Sequence, residues 1–141
     1  MKKLQILLVE DNEGDILLTT EALESMKIEN EISVLKTGKE AIEYMTQSGA
    51  YSDAELPDLV LLDINLPVKN GLEVLAAIKS NEKSKDIPVI MLTTSSSKTD
   101  QEASHRLNAS LFITKPIEMH KYVEVVNLIE NFWLNFNQRL N

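Results

Sequence analysis

A run of four apolar residues that ends in a carboxylate constrains this chain more than any other feature. The run is Leu-Val-Leu-Leu at positions 59–62, and Asp63 follows it directly. Such a run predicts a strand that is buried on both faces, as in parallel sheets. In open α/β sheets the reactive groups lie just beyond the carboxyl ends of strands. Asp63 is therefore a candidate functional residue, although an Asp that only forms a turn fits the same pattern.

Apolar periodicity divides the rest of the chain into alternating strands and helices. The predicted strands are 6–9, 32–35, 59–62, 89–92 and 111–113, and the predicted helices are 14–26, 39–47, 71–80, 100–107 and 118–139. This alternation indicates an α/β fold with a five-stranded, mostly parallel sheet and helices on both faces. Right-handed crossovers leave two alternatives, a flavodoxin-like sheet and a half-Rossmann unit. Glycine-rich dinucleotide and P-loop motifs are absent from the sequence, which removes the main support for those ligands.

Composition narrows the class of protein. The chain has 141 residues, of which 43 % are hydrophobic, so we expect one domain over 1–141 whose last helix extends beyond about residue 128. There are 14 basic and 22 acidic residues, a balance that argues against a nucleic-acid surface. The absence of cysteine excludes disulfides, thiol catalysis and cysteine-ligated zinc. No apolar run approaches the roughly 20 residues of a membrane span, so we expect a cytoplasmic protein.

Polar side chains stand at the ends of four of the predicted strands. Glu10 and Asp11 follow the first strand, Asp63 the third, Thr93 the fourth and Lys115 the fifth. If these strands are neighbours, the five side chains converge on one pocket. Three carboxylates repel one another unless a cation is present, and oxygen ligands of this kind suit Mg²⁺. A lysine, a hydroxyl donor and a metal beside a carboxylate nucleophile predict a phosphoryl-transfer site.

Each of these residues has a simpler explanation when it is taken alone. Glu10 and Asp11 could only complement a helix dipole, Thr93 could only cap a turn, and Lys115 could be a solvated loop charge. All of them together at strand ends would require several coincidences. The functional interpretation is therefore preferred.

Four segments resemble the signature motifs of receiver domains in two-component response regulators. They are Val9-Glu10-Asp11-Asn12, Leu62 to Pro67 with Gly71, Leu92-Thr93-Thr94, and Thr114-Lys115-Pro116. The resemblance covers about residues 4–128, and the spacing between the motifs also matches. It implies a flavodoxin-like sheet with strand order 2-1-3-4-5. It further implies that Asp63 accepts a phosphoryl group from a sensor histidine kinase or a phosphotransfer protein.

The same resemblance implies roles for individual residues. Mg²⁺ would be held by Asp11, Asp63 and the backbone carbonyl of Asn65, with Glu10 binding through water. Lys115 would pair with the phosphoryl group, and its bond to Pro116 would be cis.

The family also has a switch pair, which falls on Thr93 and Phe112 in this chain. Phosphorylation would draw the Thr93 hydroxyl inward and let Phe112 rotate, changing the surface near the fourth helix. As an ordinary core aromatic, Phe112 would instead have no part in signalling. Glu10 departs from the family, which often has Asp there, but a longer side chain suits contact through water.

A narrower set of features resembles the small regulators that are paired with bacterial phytochromes. These are Glu10-Asp11-Asn12, the polar loop 48–57, Leu92-Thr93-Thr94-Ser95 and the tail with Phe132-Trp133. The resemblance implies a phytochrome kinase as partner. About a dozen residues follow Ile129, too few for a DNA-binding or enzymatic output domain, so output would be protein contact or phosphate relay.

Two other classes of protein are alternatives for this set of residues. A haloacid-dehalogenase-like phosphohydrolase also uses an Asp nucleophile, a lysine and Mg²⁺. It requires a second Asp two residues after its nucleophile on the first strand, and Glu13 stands at that position after Asp11. A phosphate-inert receiver-like protein would have a broken acidic set, whereas this set is complete. The chain is accordingly not expected to be a classical enzyme.

The end of the chain carries an apolar stripe made of Leu128, Phe132, Trp133, Phe136 and Leu140. Exposed aromatic residues are common interface anchors. The stripe predicts a homodimer through the last helix and the adjacent fifth-strand face. The alternative is that the helix folds back and completes the core of the monomer.

Overall fold

The computed structural model describes residues 2–140, with side chains up to residue 138, and contains all ten predicted elements. The strands are Leu4–Val9 (β1), Asn30–Leu35 (β2), Leu59–Leu62 (β3), Val89–Thr93 (β4) and Leu111–Thr114 (β5). The helices are Glu13–Glu24 (α1), Gly38–Met45 (α2), Gly71–Ser80 (α3), Lys98–Arg106 (α4) and Tyr122–Leu140 (α5). None of the helices in this described part of the chain is long and apolar enough to cross a membrane.

The five strands form one parallel sheet in the order β2-β1-β3-β4-β5. This order is that of the flavodoxin-like fold, so of the two architectures left open by the strand pattern this one is confirmed. The strands β1, β3, β4 and β5 are consecutive neighbours, and their carboxyl ends meet at one edge. The side chains at the ends of these four strands can therefore converge on one pocket, as predicted for neighbouring strands.

Two apolar layers hold the sheet between the helices. One layer packs β1, β3 and β4 residues such as Leu8 and Leu61 against α1 and α5. The other packs their alternate residues, such as Leu7 and Val60, against α2 and α3. All four residues of β3 and all five of β4 are buried, as expected for strands covered on both faces. The central strands are thereby fixed, and so are the positions of the residues that follow them.

Two apolar residues of the helices lie on the surface. Leu17 of α1 is 57 % exposed and Val123 of α5 is 60 % exposed. Thr19 and Leu23 occupy the buried face of α1 instead. A single 3₁₀ turn over Met119–Lys121 precedes α5, so the α-helix begins at Tyr122 and not at residue 118. The buried residues there are Tyr122, Val125, Val126 and Ile129.

The apolar stripe of the tail is divided between the core and the surface. Phe132 and Trp133 are half-buried and pack against the apolar layer under α1 and α5. Phe136 stacks on both rings, with centroids 5.7 Å apart in each pair. Leu128 remains 50 % exposed. The side chain of Leu140, the last residue of the predicted stripe, lies outside the described side chains.

Glu130 of α5 fixes the loop that leads from α1 into β2. Its Oε2 accepts backbone hydrogen bonds from Lys27 at 2.8 Å and from Ile28 at 3.2 Å. A carboxylate that accepts two backbone N–H groups contributes more than a neutral hydrogen bond does. The contact joins the C-terminal helix to the side of the sheet that carries β1 and β2.

We expect Glu130→Ala to lower the free energy of unfolding by about 1–2 kcal/mol, because two N–H groups lose a charged acceptor. Urea denaturation at pH 7 measures the change. Glu124→Ala removes an exposed carboxylate from the same helix and serves as the control, with an expected change below about 0.5 kcal/mol. Equal losses in the two variants would show that the Glu130 contact is not stabilising.

Candidate functional site

The first two acidic residues of the site stand directly beyond β1. Glu10 is 1 % exposed, and its backbone N–H donates to the Leu35 carbonyl at 3.0 Å. Its side-chain Oε2 accepts the Asn12 N–H at 3.2 Å. Asp11 is exposed to solvent. Asn12 then caps α1, since its side-chain oxygen accepts the Asp15 N–H at 2.9 Å.

Asp63 is the buried carboxylate at the centre of the site. It is 5 % exposed, and its Oδ1 accepts the Asn65 N–H at 3.2 Å. The loop after it folds back closely enough for the Gly71 N–H to donate to the Ile64 carbonyl at 2.8 Å. A β-carbon at Gly71 would lie 2.1 Å from the Asp63 carbonyl oxygen, so this close approach requires glycine.

Thr93 and Lys115 are brought together by pairing of the last two strands. Thr93 ends β4, is fully buried, and accepts the Ser95 N–H on its hydroxyl oxygen at 3.2 Å. Its backbone carbonyl accepts the Lys115 N–H at 2.7 Å. Lys115 is only 6 % exposed. The alternative that Lys115 is a solvated loop charge is thus excluded.

The ammonium of Lys115 contacts three carboxylates. Its Nζ donates to Glu10 Oε1, to Asp15 Oδ2 at 3.1 Å and to Asp63 Oδ2 at 3.2 Å. Asp15 was not predicted as a site residue. Asp11 precedes the N-cap Asn12 and lies outside α1, so helical spacing does not relate it to Asp15 and gave no signal for this contact.

Burial and charge act in opposite directions on each member of the buried pair, and both pKa values end above their ordinary values. Burial raises the pKa of Glu10 to about 7, and the hydrogen bond from Lys115 works against this rise. For Lys115, burial lowers the pKa, but the hydrogen bond to Glu10 and the charge of Asp63 outweigh burial and leave the pKa above its ordinary value. The lysine is therefore cationic at neutral pH.

Three acidic side chains of the site also fit a metal ion. Glu10, Asp11 and Asp63 each place a carboxylate oxygen within 4.8 Å of the others. Lys115 is the one cation among the ion pairs described around these groups, so negative charge is in excess. A hard, oxygen-preferring divalent cation such as Mg²⁺ suits this donor set. Asn65 is exposed beside them, and the role of its carbonyl stays a prediction.

Two further expectations concern residues next to the site. The bond between Lys115 and Pro116 is trans, as are all peptide bonds described, so the expected cis bond is wrong. The trans form is favoured by about 0.5–1 kcal/mol before proline, and Lys115 reaches its carboxylates with it. Phe112 pairs with Met91 across the sheet and is half-buried against the apolar layer that faces α2 and α3.

A parallel sheet in this order, with an acidic cluster and a buried lysine at one edge, defines a class of signalling proteins. Residues 6–127 match the family model of the response regulator receiver domain. The chain belongs to this family, whose members act in two-component regulatory systems.

The similarity to individual members extends over nearly the whole chain. Response regulator Rcp1 of Synechocystis sp. (strain ATCC 27184 / PCC 6803 / Kazusa) is 43 % identical over 92 % of this chain and 88 % of its own length. The crystal structure of the phosphorylated cyanobacterial phytochrome response regulator RcpA has a TM-score of 0.88 and 44 % identity, over 94 % of this chain and 95 % of that one. The Mn²⁺-bound form of Rcp1 has a TM-score of 0.85 and 42 % identity, over 92 % and 94 %. Receiver domains bind a divalent metal ion at an acidic pocket of this kind.

We expect Mg²⁺ to raise the melting temperature of the wild type by several degrees, because an ion that binds only the folded state stabilises it by about 2.7 kcal/mol at 100 times its Kd. Asp11→Ala should lose most of this rise, because it removes one of the three carboxylates. Thermal denaturation with 0 and saturating Mg²⁺ measures both. Glu13→Ala, which removes an exposed carboxylate paired with Lys36, should respond like the wild type. An equal response in all three proteins would place the metal elsewhere.

Proposed function

We propose that Asp63 accepts a phosphoryl group from the phosphohistidine of a sensor kinase or phosphotransfer protein. The observation that carries the proposal is a buried carboxylate with a lysine ammonium 3.2 Å from one of its oxygens. The transferred group would then alter the surface that the protein presents to its next partner. Output is by protein contact, since the net charge of −8 does not favour DNA.

In the transfer step, an Asp63 oxygen attacks phosphorus, and the bond between phosphorus and the imidazole nitrogen breaks. The imidazole, protonated on its other ring nitrogen, takes the electron pair of that bond and leaves as neutral histidine. Lys115 holds its charge beside the oxygens of the transferred group, and the Thr93 hydroxyl donates to another of them. Mg²⁺, held by Asp11, Asp63 and the Asn65 carbonyl and by Glu10 through water, would supply further positive charge at these oxygens.

A separate hydrolytic step returns the protein to its resting state. Water attacks phosphorus, the bond between phosphorus and the Asp63 oxygen breaks, and the carboxylate is regenerated with release of inorganic phosphate. The chain thus catalyses its own phosphorylation and dephosphorylation and turns over no separate substrate. It acts as a signalling protein with a limited phosphorylation lifetime rather than as a classical enzyme.

Thr93 and Phe112 form the proposed switch. The Thr93 hydroxyl oxygen accepts the Ser95 N–H, so a move of this hydroxyl toward a phosphoryl group would also pull on the loop before α4. The space it leaves would admit Phe112, whose ring is only half-buried in the present state. The surface formed by α4, β5 and α5 would change with it.

A phytochrome kinase is the proposed upstream partner. The support is the similarity to RcpA, and the structure of the bacteriophytochrome response regulator AtBRR is also 38 % identical over 90 % of this chain. A protein that receives its phosphoryl group from an ATP-using kinase would act in the cytoplasm.

We expect Asp63→Asn to abolish phosphorylation, because an amide oxygen is a poor nucleophile although the side chain keeps its shape. Incubation with acetyl phosphate and Mg²⁺, followed by intact mass, measures the added phosphoryl group. Asp53→Asn changes an exposed Asp in the loop before β3 and should label like the wild type. Full labelling of Asp63→Asn would refute the assignment, and sustained hydrolysis of phosphomonoesters would indicate a phosphohydrolase instead.

We further propose a homodimer through α5 and the adjacent face of β5. Leu128 is 50 % and Leu134 is 47 % exposed, whereas Phe132 and Trp133 already cover part of the monomer's own core. The exposed leucines, together with half-buried Phe136, leave apolar surface on an acidic protein.

The expected result for the double variant Leu128→Ser with Leu134→Ser is a shift from dimer to monomer, because burial of the two leucines is lost. Sedimentation of the full-length wild type and variants at equal concentrations, with and without a phosphoryl mimic, measures the oligomeric state. Val123→Ser removes an equally exposed apolar residue nearer the start of α5 and serves as control. A wild type that remains monomeric in both conditions contradicts the dimer.

A further inference from the structure

Asp15 is a carboxylate at the site that the transfer step described above does not use. Its Oδ2 lies 3.1 Å from Lys115 Nζ, as close as the Asp63 oxygen at 3.2 Å. Its position is fixed by the backbone, since its N–H donates to the capping oxygen of Asn12 at 2.9 Å in the first turn of α1. The cap of α1 therefore fixes the backbone from which the Asp15 side chain reaches Lys115.

Asp15 lies on the lysine side of the site and not on the metal side. The cluster with metal-ligand spacing consists of Glu10, Asp11 and Asp63, and Asp15 is outside it. The side chain of Asp15 is also 28 % exposed, whereas those of Glu10 and Asp63 are 2 % and 6 % exposed. Of the three carboxylates on the ammonium, it is the one that faces solvent.

The hydrogen bonds of Lys115 are fully used in this arrangement. A lysine ammonium has three N–H donors, and Glu10, Asp15 and Asp63 supply three acceptors. A phosphoryl oxygen that arrives at Asp63 must compete for this ammonium with the carboxylates already bound. Asp15 also adds a full negative charge close to the incoming anion.

We propose that Asp15 is a positioning residue that holds the Lys115 ammonium back and so weakens the binding of a phosphoryl group at Asp63. This inference rests on the proposed role of Asp63. Asp15 thereby sets the fraction of the protein molecules that are phosphorylated at a given concentration of phosphodonor. The chemical step itself needs no contact with Asp15.

The test is the affinity of the full-length chain for fluoroberyllate, an anionic mimic of the phosphoryl group, at saturating Mg²⁺. Asp15→Asn keeps the shape and an acceptor oxygen but removes the charge, and we expect it to bind about fivefold more tightly than the wild type. Glu13→Gln removes the same charge from an exposed neighbour that pairs with Lys36, and it should stay within about twofold. Titration followed by ¹⁹F NMR or calorimetry measures all three.

A conservative variant separates the charge from a structural effect. Asp15→Glu restores a carboxylate at this position and should return the affinity to within about twofold of the wild type. Tighter binding in Asp15→Glu equal to that in Asp15→Asn would overturn the inference, because charge would not be the cause. Thermal denaturation of each variant in Mg²⁺ verifies that the proteins compared are folded.

The outcomes for Asp15→Asn and for the wild type have different meanings. Equal or weaker fluoroberyllate binding by Asp15→Asn, with normal binding by the wild type, would overturn the role of Asp15 alone. A wild type that binds no fluoroberyllate with Mg²⁺ present would instead refute the proposed role of Asp63, and this inference with it.

Discussion

The buried ion pair between Lys115 and Glu10 is the interaction on which the geometry of the site depends. Lys115 follows β5 and Glu10 follows β1, and two other strands separate them in the sheet. Removing both charges from water is costly unless each has hydrogen-bond partners. Both have them, because Glu10 also accepts a backbone N–H and Lys115 also reaches two aspartates. If either charge were removed, the other would stay buried with one partner fewer, which is costly. The pair therefore joins the β1 side of the site to the β5 side.

The apolar runs made the strands predictable from the sequence. Residues 59–62 and 89–92 lie in the middle of the sheet, where both faces are covered, so every residue in them had to be apolar. The strand order could not be obtained in this way. Short parallel strands of similar length satisfy several orders equally well, and the order 2-1-3-4-5 came from the resemblance of the motifs to receiver domains. The structure and the family comparison then confirmed it.

The features that the sequence did not predict depend on tertiary contacts, which apolar periodicity does not specify. The helix α5 packs on the sheet through Val125, Val126 and Ile129, so Val123 points outward although it is apolar. Asp15 has a role only because the fold carries Lys115 across the sheet to it. The tail aromatics were predicted as one surface, whereas tertiary packing draws Phe132 and Trp133 partly into the core. In each case a long-range contact decides between placements that are locally equivalent.

The absent side chain at Gly71 also affects how the sequence of this protein can vary. Every other amino acid has a β-carbon, which here would meet the Asp63 backbone at 2.1 Å and Ile64 Cα at 2.6 Å. The same holds at Gly38, where a β-carbon would meet the Lys69 carbonyl oxygen at 1.9 Å. Substitution of either glycine is therefore blocked by backbone sterics, although neither has a functional side chain. The exposed residues Pro67 and Lys69, in the loop before Gly71, do not have this steric limit. If substitutions at Gly38 and Gly71 abolish function, the cause is the close approach of the backbone around the site and not a chemical role of these residues.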